Sequence, residues 1–188
     1  MLMSDKDFMQ FLFPDVLVRE IAIKEITPCA ADPDRIKFLA QADKQLGETL
    51  PILYLYIPNA KYSEKLGTLS YNYKRHLITI FSSGRIGMTY VKDKKEAEEL
   101  IEIAKNLINR AFIYLKSHGN PDTKLYELKK GTNPMTVYEK LPKTNCKECG
   151  EDGCYAFSVK LLSGEKETEQ CPHVNINELK RMLSPITI

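Results

Sequence analysis

The chain has 188 residues, enough for one ordinary domain plus a small one. Its apolar fraction of 43% and charged fraction of 28% are typical of a soluble globular protein, and no apolar run approaches the length of a membrane span. The net charge of +2 gives little indication of a charged partner. The first residues are acidic where a signal peptide is basic, and no small-residue cleavage site follows, so we expect a cytoplasmic protein with reduced thiols.

Two helices and two strands are predicted in the first third of the chain. We expect a short helix with frayed ends over residues 1–13 and a strand over residues 16–26, where β-branched residues are frequent. A helix is predicted over residues 32–46, because its first two residues are aspartate and proline, which suit the N-cap and N1 positions, and glycine follows its end. The apolar run at residues 51–57 predicts the next strand.

Three strands and the longest helix follow. Residues 67–73 and 76–82 predict an antiparallel pair with a two-residue turn, and residues 85–91 predict another strand. Asp93 and Glu96 form a capping box for a long helix. Its apolar residues recur with helical spacing and predict a core-facing stripe: Ala97, Leu100, Ile101, Ala104, Leu107, Ile108, Ala111, Phe112 and Leu115. The element order β-α-β-β-β-β-α predicts an α+β domain, an antiparallel sheet with helices on one face.

A further pattern runs through residues 59–97. Its residues are Asn59, Ala60, Tyr62, Ile80, Phe81, Ser82, Ser83, Gly84, Arg85, Thr89, Lys92 and Ala97. This stretch resembles one half of the TATA-box-binding protein, a family that joins two such halves and inserts pairs of phenylalanines into the DNA minor groove. Phe81 matches one wedge position, but no aromatic residue matches the other, near Leu66. The resemblance implies the fold, whereas we expect no nucleic-acid partner.

A linker is predicted over residues 121–140, where glycine and proline recur. It would separate an α+β domain at residues 1–120 from a small cysteine-rich domain at residues 141–188. The apolar residues that we expect to dock the linker on a domain surface are Leu125, Tyr126 and Leu128.

Four of the five cysteines lie in the last third of the chain, spaced C-x2-C-x4-C-x16-C: Cys146, Cys149, Cys154 and Cys171. The first two are three positions apart, so one tight loop can direct both sulfurs at one metal centre. Gly150 and Gly153 permit sharp turns beside a bulky ligand. Cys154 opens a predicted helix that Asp152 caps and Gly164 ends. Four converging thiolates bind either a [4Fe–4S] cluster or a zinc ion.

The spacing favours a cluster over zinc. Zinc sites usually offer two short cysteine pairs, whereas here one pair is tight, the third cysteine is offset and the fourth stands alone before Pro172. That arrangement suits the separate corners of a cuboid cluster. A helix that begins at Cys154 also places backbone N–H groups and a partial positive charge beside an anionic cluster. Zinc stays an alternative, and a disulfide framework is the least favoured one.

The residues around the cysteines also form a pattern: Leu141, Pro142, Lys143, Thr144, Asn145, Gly150, Ala156, Phe157, Lys160, Gly164, Glu165 and Pro172. With the cysteines, this stretch resembles the four-cysteine domain in the large subunit of the corrinoid iron–sulfur protein of acetyl-CoA synthesis. It is also similar to the domain in the B subunit of Rnf-type electron-transfer complexes. The resemblance implies that Cys146, Cys149, Cys154 and Cys171 bind a [4Fe–4S] cluster that passes single electrons. His173 departs from the family, where we expect an apolar residue or a second proline.

We interpret the chain as a [4Fe–4S] protein that exchanges single electrons with a redox protein partner, which the resemblance places in corrinoid or methyl-transfer metabolism. Four protein ligands leave no open iron for a substrate, so we do not expect a self-contained enzyme. Backbone N–H groups near Thr144 and Asn145 are expected to tune the reduction potential. Two alternatives are a redox-sensing nucleic-acid-binding protein and a structural metal module. The remaining cysteine, Cys29, is expected to be a buried, inert thiol.

Overall fold

The computed structural model describes residues 16–30 and 32–188. The helix predicted over residues 1–13 lies outside these residues. The strands are β1 (Ile21–Cys29), β2 (Asp32–Ala42), β3 (Lys61–Ser63), β4 (Thr68–Tyr73), β5 (His76–Phe81) and β6 (Arg85–Val91). The helices are α1 (Leu50–Tyr56), α2 (Lys94–His118), α3 (Thr123–Lys130), α4 (Pro134–Glu139), α5 (Cys154–Ser163) and α6 (Ile176–Leu183). In this described part of the chain, no helix is both long and apolar enough to cross a membrane.

The six strands form one antiparallel sheet in the order β1-β2-β6-β5-β4-β3. Side chains alternate across it: Ile78 and Ile80 of β5 and Ile86 and Met88 of β6 are fully buried, while Leu77, the neighbour of Ile78, is 44% exposed. The buried face joins one core with residues of α1 and α2. The prediction of an α+β fold with an antiparallel sheet is therefore confirmed.

The helix predicted over residues 32–46 is wrong, because this segment forms β2 up to Ala42. Phe38, Ala40 and Ala42 are buried at alternate positions, which is the period of a strand. The Asp-Pro pair was misleading as a helix start. The Asp32 carboxylate instead accepts the backbone N–H of Asp34 at 3.1 Å, a local hydrogen bond within the first residues of β2.

The strand predicted over residues 51–57 is also wrong, because this segment lies in α1. Pro51 stands in the first turn of the helix, where its missing N–H costs nothing. Leu50, Ile52, Leu53 and Leu55 are all buried, so the helix is covered on nearly every side. An apolar run that is buried all round carries no periodicity by which to distinguish a short helix from a strand.

The other predicted elements of the sheet domain are confirmed. The turn between β4 and β5 has Lys74 at φ 54°, and β6 has the predicted bounds. The first strand lies three to five residues later than predicted and runs to Cys29. At the start of α2, the Asp93 side chain accepts the N–H of Glu96 at 2.9 Å. The Glu96 carboxylate in turn accepts the N–H of Lys92 at 2.6 Å.

Residues 121–140, predicted as a linker, contain the two short helices α3 and α4. Leu125 and Tyr126 pack against the sheet core, as expected for docking residues, while Leu128 is 50% exposed. The independence of the two flanking units stays a prediction. The second unit has its own small core, made of Val137, Leu141, Cys154, Phe157, Leu161, Cys171, Leu179 and Leu183.

The two units are joined by polar contacts as well as by packing. The ammonium group of Lys129 is buried and donates to the carbonyls of Ile57, at 2.6 Å, and of Leu183. These carbonyls lie at the C-terminal ends of α1 and α6, where helix dipoles favour a cation. Burial nevertheless lowers the pKa of Lys129 to about 7. Near the chain end, Ile186 belongs to the sheet core, so the tail returns across the boundary.

Candidate metal centre

The four cysteines of the C-terminal motif lie around the second core. Cys154 and Cys171 are buried, with 7% and 5% of their surface exposed, and Cys149 packs against the same core. Cys146 is exposed. The remaining cysteine, Cys29, is buried at the end of β1 in the sheet, as predicted for an inert thiol. Three of the four predicted ligands thus border one small core and Cys146 is open to solvent, while their role as ligands stays a prediction.

The other three cysteines of the motif act electrostatically on Cys171. Burial raises the pKa of the Cys171 thiol, and negative charge on Cys149, Cys154 and Cys146 raises it further. The backbone N–H of His173 donates to the Cys171 sulfur and opposes this effect. A bound metal removes the repulsion, since thiolates coordinate it in their deprotonated form. The donor set therefore fits a soft metal or an iron–sulfur cluster.

The loop before the first cysteine has an unusual backbone. Lys143, Asn145 and Lys147 have φ values of 59°, 51° and 64°, and Gly150 follows at 80°. Left-handed conformations cost free energy at residues other than glycine, and such strain concentrates at functional sites. Left-handed residues at alternate positions are typical of an anion-binding nest, in which successive backbone N–H groups face one point. Nests of this kind occur at iron–sulfur sites, so the loop suits an anionic cluster.

The N-terminus of α5 is capped differently from the prediction. Asp152 is not the cap; Gly153 occupies the N-cap position, and no side chain of its own can serve there. Asn145 supplies the missing acceptor, because its Oδ1 accepts the N–H of Cys154 at 2.9 Å. A Cβ on Gly153 would lie only 2.9 Å from the same oxygen. Glycine at position 153 therefore lets the Asn145 side chain come close enough to accept this hydrogen bond. Asn145 thereby joins the loop that carries Cys146 to the helix that carries Cys154. The helix itself runs to Ser163 and ends at Gly164, as predicted.

A cluster of charged side chains beside Cys149 was missed by the sequence analysis. Glu151 is buried, and both of its oxygens face ammonium groups: Lys160 at 2.9 Å and Lys166 at 3.2 Å. The hydrogen bond from Lys160, with a further one from Lys166, holds the pKa of Glu151 below its usual range, although burial opposes this. Lys166 lies 15 positions after Glu151, and the two do not share a helix. The sequence therefore offers no spacing by which to predict their contact.

His173, the residue that departs from the resembled family, contacts a second acidic side chain. Its Nε2 lies 3.1 Å from Oε1 of Glu148. The ligand atoms of Cys146, Glu148 and His173 lie within 4.8 Å of one another on the exposed side of the site. Sequence spacing could not reveal this group, because His173 is 25 positions from Glu148.

The position compared with a DNA wedge lies at the end of β5. Phe81 is half-buried, and the guanidinium group of Arg85 lies 4.5 Å from the centre of its ring. Leu66, near the second wedge position, is 71% exposed.

Thiols beside a loop with left-handed residues form a donor set that suits a metal centre with cysteine ligands. Comparison with known proteins points to the same class. A family model described as "Putative Fe-S cluster" matches residues 141–173. This match and the relatives below support an iron–sulfur cofactor, without specifying the cluster type.

The relatives are subunits of the acetyl-CoA decarbonylase/synthase complex and of a corrinoid/iron–sulfur protein. The gamma subunit of the acetyl-CoA decarbonylase/synthase complex of Methanocaldococcus jannaschii is 44% identical over 52 residues, which are 28% of this chain and 11% of the relative. The gamma 1 subunit of Methanosarcina thermophila is 39% identical over 61 residues, 28% of this chain and 13% of the relative. The corrinoid/iron–sulfur protein large subunit of Moorella thermoacetica is 44% identical over 41 residues, 22% of this chain and 9% of the relative.

The chain therefore matches only about a tenth of the length of these curated relatives. No solved structure gives a significant match. The resemblances to half of the TATA-box-binding protein and to the Rnf B subunit stay predictions.

Proposed function

We propose that the chain is a [4Fe–4S] protein that carries single electrons to or from a protein partner, with Cys146, Cys149, Cys154 and Cys171 as the cluster ligands. The observation that supports this proposal is the position of Cys149, Cys154 and Cys171 at one small core, together with the left-handed residues in the loop at 143–147. A zinc ion needs four ligands but no nest of N–H groups, whereas an anionic cluster benefits from both.

The residues around the site suit electron transfer. When bound, the cluster supplies a one-electron couple. Cys154 and Cys171 lie in the apolar core, so their side of the site excludes water, and the N–H of His173 stabilises the Cys171 thiolate. Cys146 and its neighbours face solvent, which gives a partner close access. With all four ligands provided by the chain, no position is left for a substrate.

We propose a protein partner from corrinoid-dependent one-carbon metabolism. The support is the match of residues 141–173 to the family model and the similarity of a stretch of this chain to a subunit of the acetyl-CoA decarbonylase/synthase complex and to a corrinoid/iron–sulfur protein. The matched stretch covers only 11% and 9% of these two relatives, and this chain also carries a six-stranded sheet domain. We assign the choice of partner to that domain.

A structural metal module is the second candidate, favoured by the presence of Cys154 and Cys171 within the second core. The two functions differ in a potentiometric titration of the anaerobically reconstituted chain, followed by visible absorbance and by circular dichroism. An electron carrier shows a reversible one-electron transition with unchanged secondary structure. A chain without a reversible transition, which unfolds on metal removal, has a structural site and contradicts the proposal.

A further inference from the structure

Glu151 is a buried carboxylate paired with two ammonium groups, while Asp152 and Glu165 act on one of them, Lys160. Its side chain is only 7% exposed, and an unpaired carboxylate in such a place would be costly. Lys160 and Lys166 provide the pairing at 2.9 Å and 3.2 Å. Two ammonium groups and one carboxylate leave the trio with a net charge of +1, located next to Cys149 in the chain.

Lys166 has a second contact that links the trio directly to the cysteine loop. Its Nζ donates to the backbone carbonyl of Cys149 at 2.9 Å, and its side chain is 19% exposed. Gly150 lies alongside: a Cβ there would be 3.6 Å from this Nζ. The ammonium group is therefore held by a carboxylate on one side and by the carbonyl of a candidate ligand on the other.

The trio spans the chain segments that carry all four cysteines. Glu151 follows the loop of Cys146 and Cys149, and Lys160 lies on α5, which begins at Cys154. Lys166 lies between α5 and Cys171. Hydrogen bonds between charged partners are stronger than neutral ones, so one buried carboxylate can fix all three segments relative to one another.

We propose that Glu151, Lys160 and Lys166 form an ionic clamp that positions the cysteine loop before a cluster is bound and raises the reduction potential of the bound cluster. Lys166 is the central positioning residue. The second half of this inference rests on the proposed [4Fe–4S] function. Reduction adds a negative charge to the cluster, and nearby positive charge stabilises the reduced form.

The positioning role is tested on the full chain without a cluster, by the rate at which iodoacetamide alkylates Cys149, resolved by peptide mass spectrometry. Loss of a charged hydrogen bond to the loop should accelerate alkylation about tenfold in Lys166→Met. Lys61→Met is the matched control, because Lys61 is an exposed lysine on β3, and it should leave the rate unchanged. A rate in Lys166→Met equal to that of the control overturns the positioning role.

The electrostatic role is tested by the midpoint potential of the reconstituted variants. Lys166→Met removes a positive charge and should lower the potential, whereas Glu151→Gln removes a negative charge and should raise it. Lys166→Arg, which keeps charge and donor, should match the wild type. Shifts of the same sign in the first two variants reflect loosening alone and overturn this role, as does the absence of any shift. A wild-type chain that takes up no iron refutes the proposed function, while the alkylation result still decides the clamp.

Discussion

Gly164 offers a test of how the metal unit is attached to the sheet domain. It ends α5 in a left-handed conformation, at φ 78°. A Cβ there would lie 2.0 Å from Nδ2 of Asn59 and 3.2 Å from the carbonyl of Asn72. The same Nδ2 donates to that carbonyl at 2.9 Å, and the Asn72 side chain donates to the carbonyl of Ser163 at 2.9 Å. Alanine at position 164 must therefore displace the side chain that links the turn to the sheet.

The expected cost of Gly164→Ala has two parts. The left-handed conformation costs about 1–2 kcal/mol at a residue with a Cβ. Displacing Asn59 loses one hydrogen bond, about 1 kcal/mol more. The free energy of unfolding should fall by about 2–3 kcal/mol in total, measured by urea unfolding of the full, metal-free chain under reducing conditions and followed by circular dichroism.

A control variant and a double variant separate the cost of the left-handed backbone from the cost of displacing Asn59. Gly131 has φ −70°, and a Cβ there approaches nothing closer than 3.5 Å, so Gly131→Ala should be neutral or stabilising by up to about 1 kcal/mol. In an Asn59→Ala background the clash is absent, and Gly164→Ala should cost only about 1–2 kcal/mol. A cost of Gly164→Ala equal to that of Gly131→Ala would refute the geometric reasoning. An equal cost in both backgrounds would refute the clash with Asn59.

Three further predictions concern the thiols, a buried lysine and the sheet. Cys154→Ala should lose or degrade the cluster, while Cys29→Ala should retain wild-type iron; equal iron loss in both would show that the ligand assignment is wrong. Burial lowers the pKa of Lys129 to about 7, from the 10.5 of an exposed lysine. Between pH 7 and pH 10.5, Lys129 therefore carries a proton in the unfolded chain but not in the folded chain. The unfolding free energy should therefore rise with pH from 7 to 10, by at most about 1.4 kcal/mol per unit. Lys129→Met should flatten this dependence in urea titrations across that range, and a variant slope equal to that of the wild type contradicts the assignment. Fluorescence anisotropy should detect no tight binding of AT-rich duplex at physiological salt, since a net charge of +2 gives little phosphate attraction. Submicromolar, salt-sensitive binding that is lost in Phe81→Ala would favour a redox-sensing DNA-binding protein.

Sequence patterns predicted those elements whose periodicity or caps are local. The stripe of α2 and its Asp93 cap, the hairpin of β4 and β5, and the glycine stop of α5 all depend on neighbours within a few positions. The sequence predicted a helix where β2 lies and a strand where α1 lies, and both errors have physical reasons. An Asp-Pro pair also begins strands, and an apolar run covered on all sides has no polar face to reveal its period.

The candidate ligands follow from the sequence, whereas the contacts that support them do not. Cysteine spacing is a one-dimensional signal, and the four residues that it selects stay a prediction. The contacts of Asn145 with the N–H of Cys154 and of Lys166 with Glu151 and Cys149 join segments that only the fold brings together. Asparagine and lysine are common surface residues, so composition alone gives no reason to assign them to the site.

The central claim is most directly tested by iron and sulfide analysis of the chain purified without oxygen, with EPR spectra before and after reduction by dithionite. Four thiolate ligands for a [4Fe–4S] cluster predict a brown protein with about four irons per chain and an EPR signal that appears on reduction. A colourless protein with one zinc per chain and no EPR signal would contradict the account.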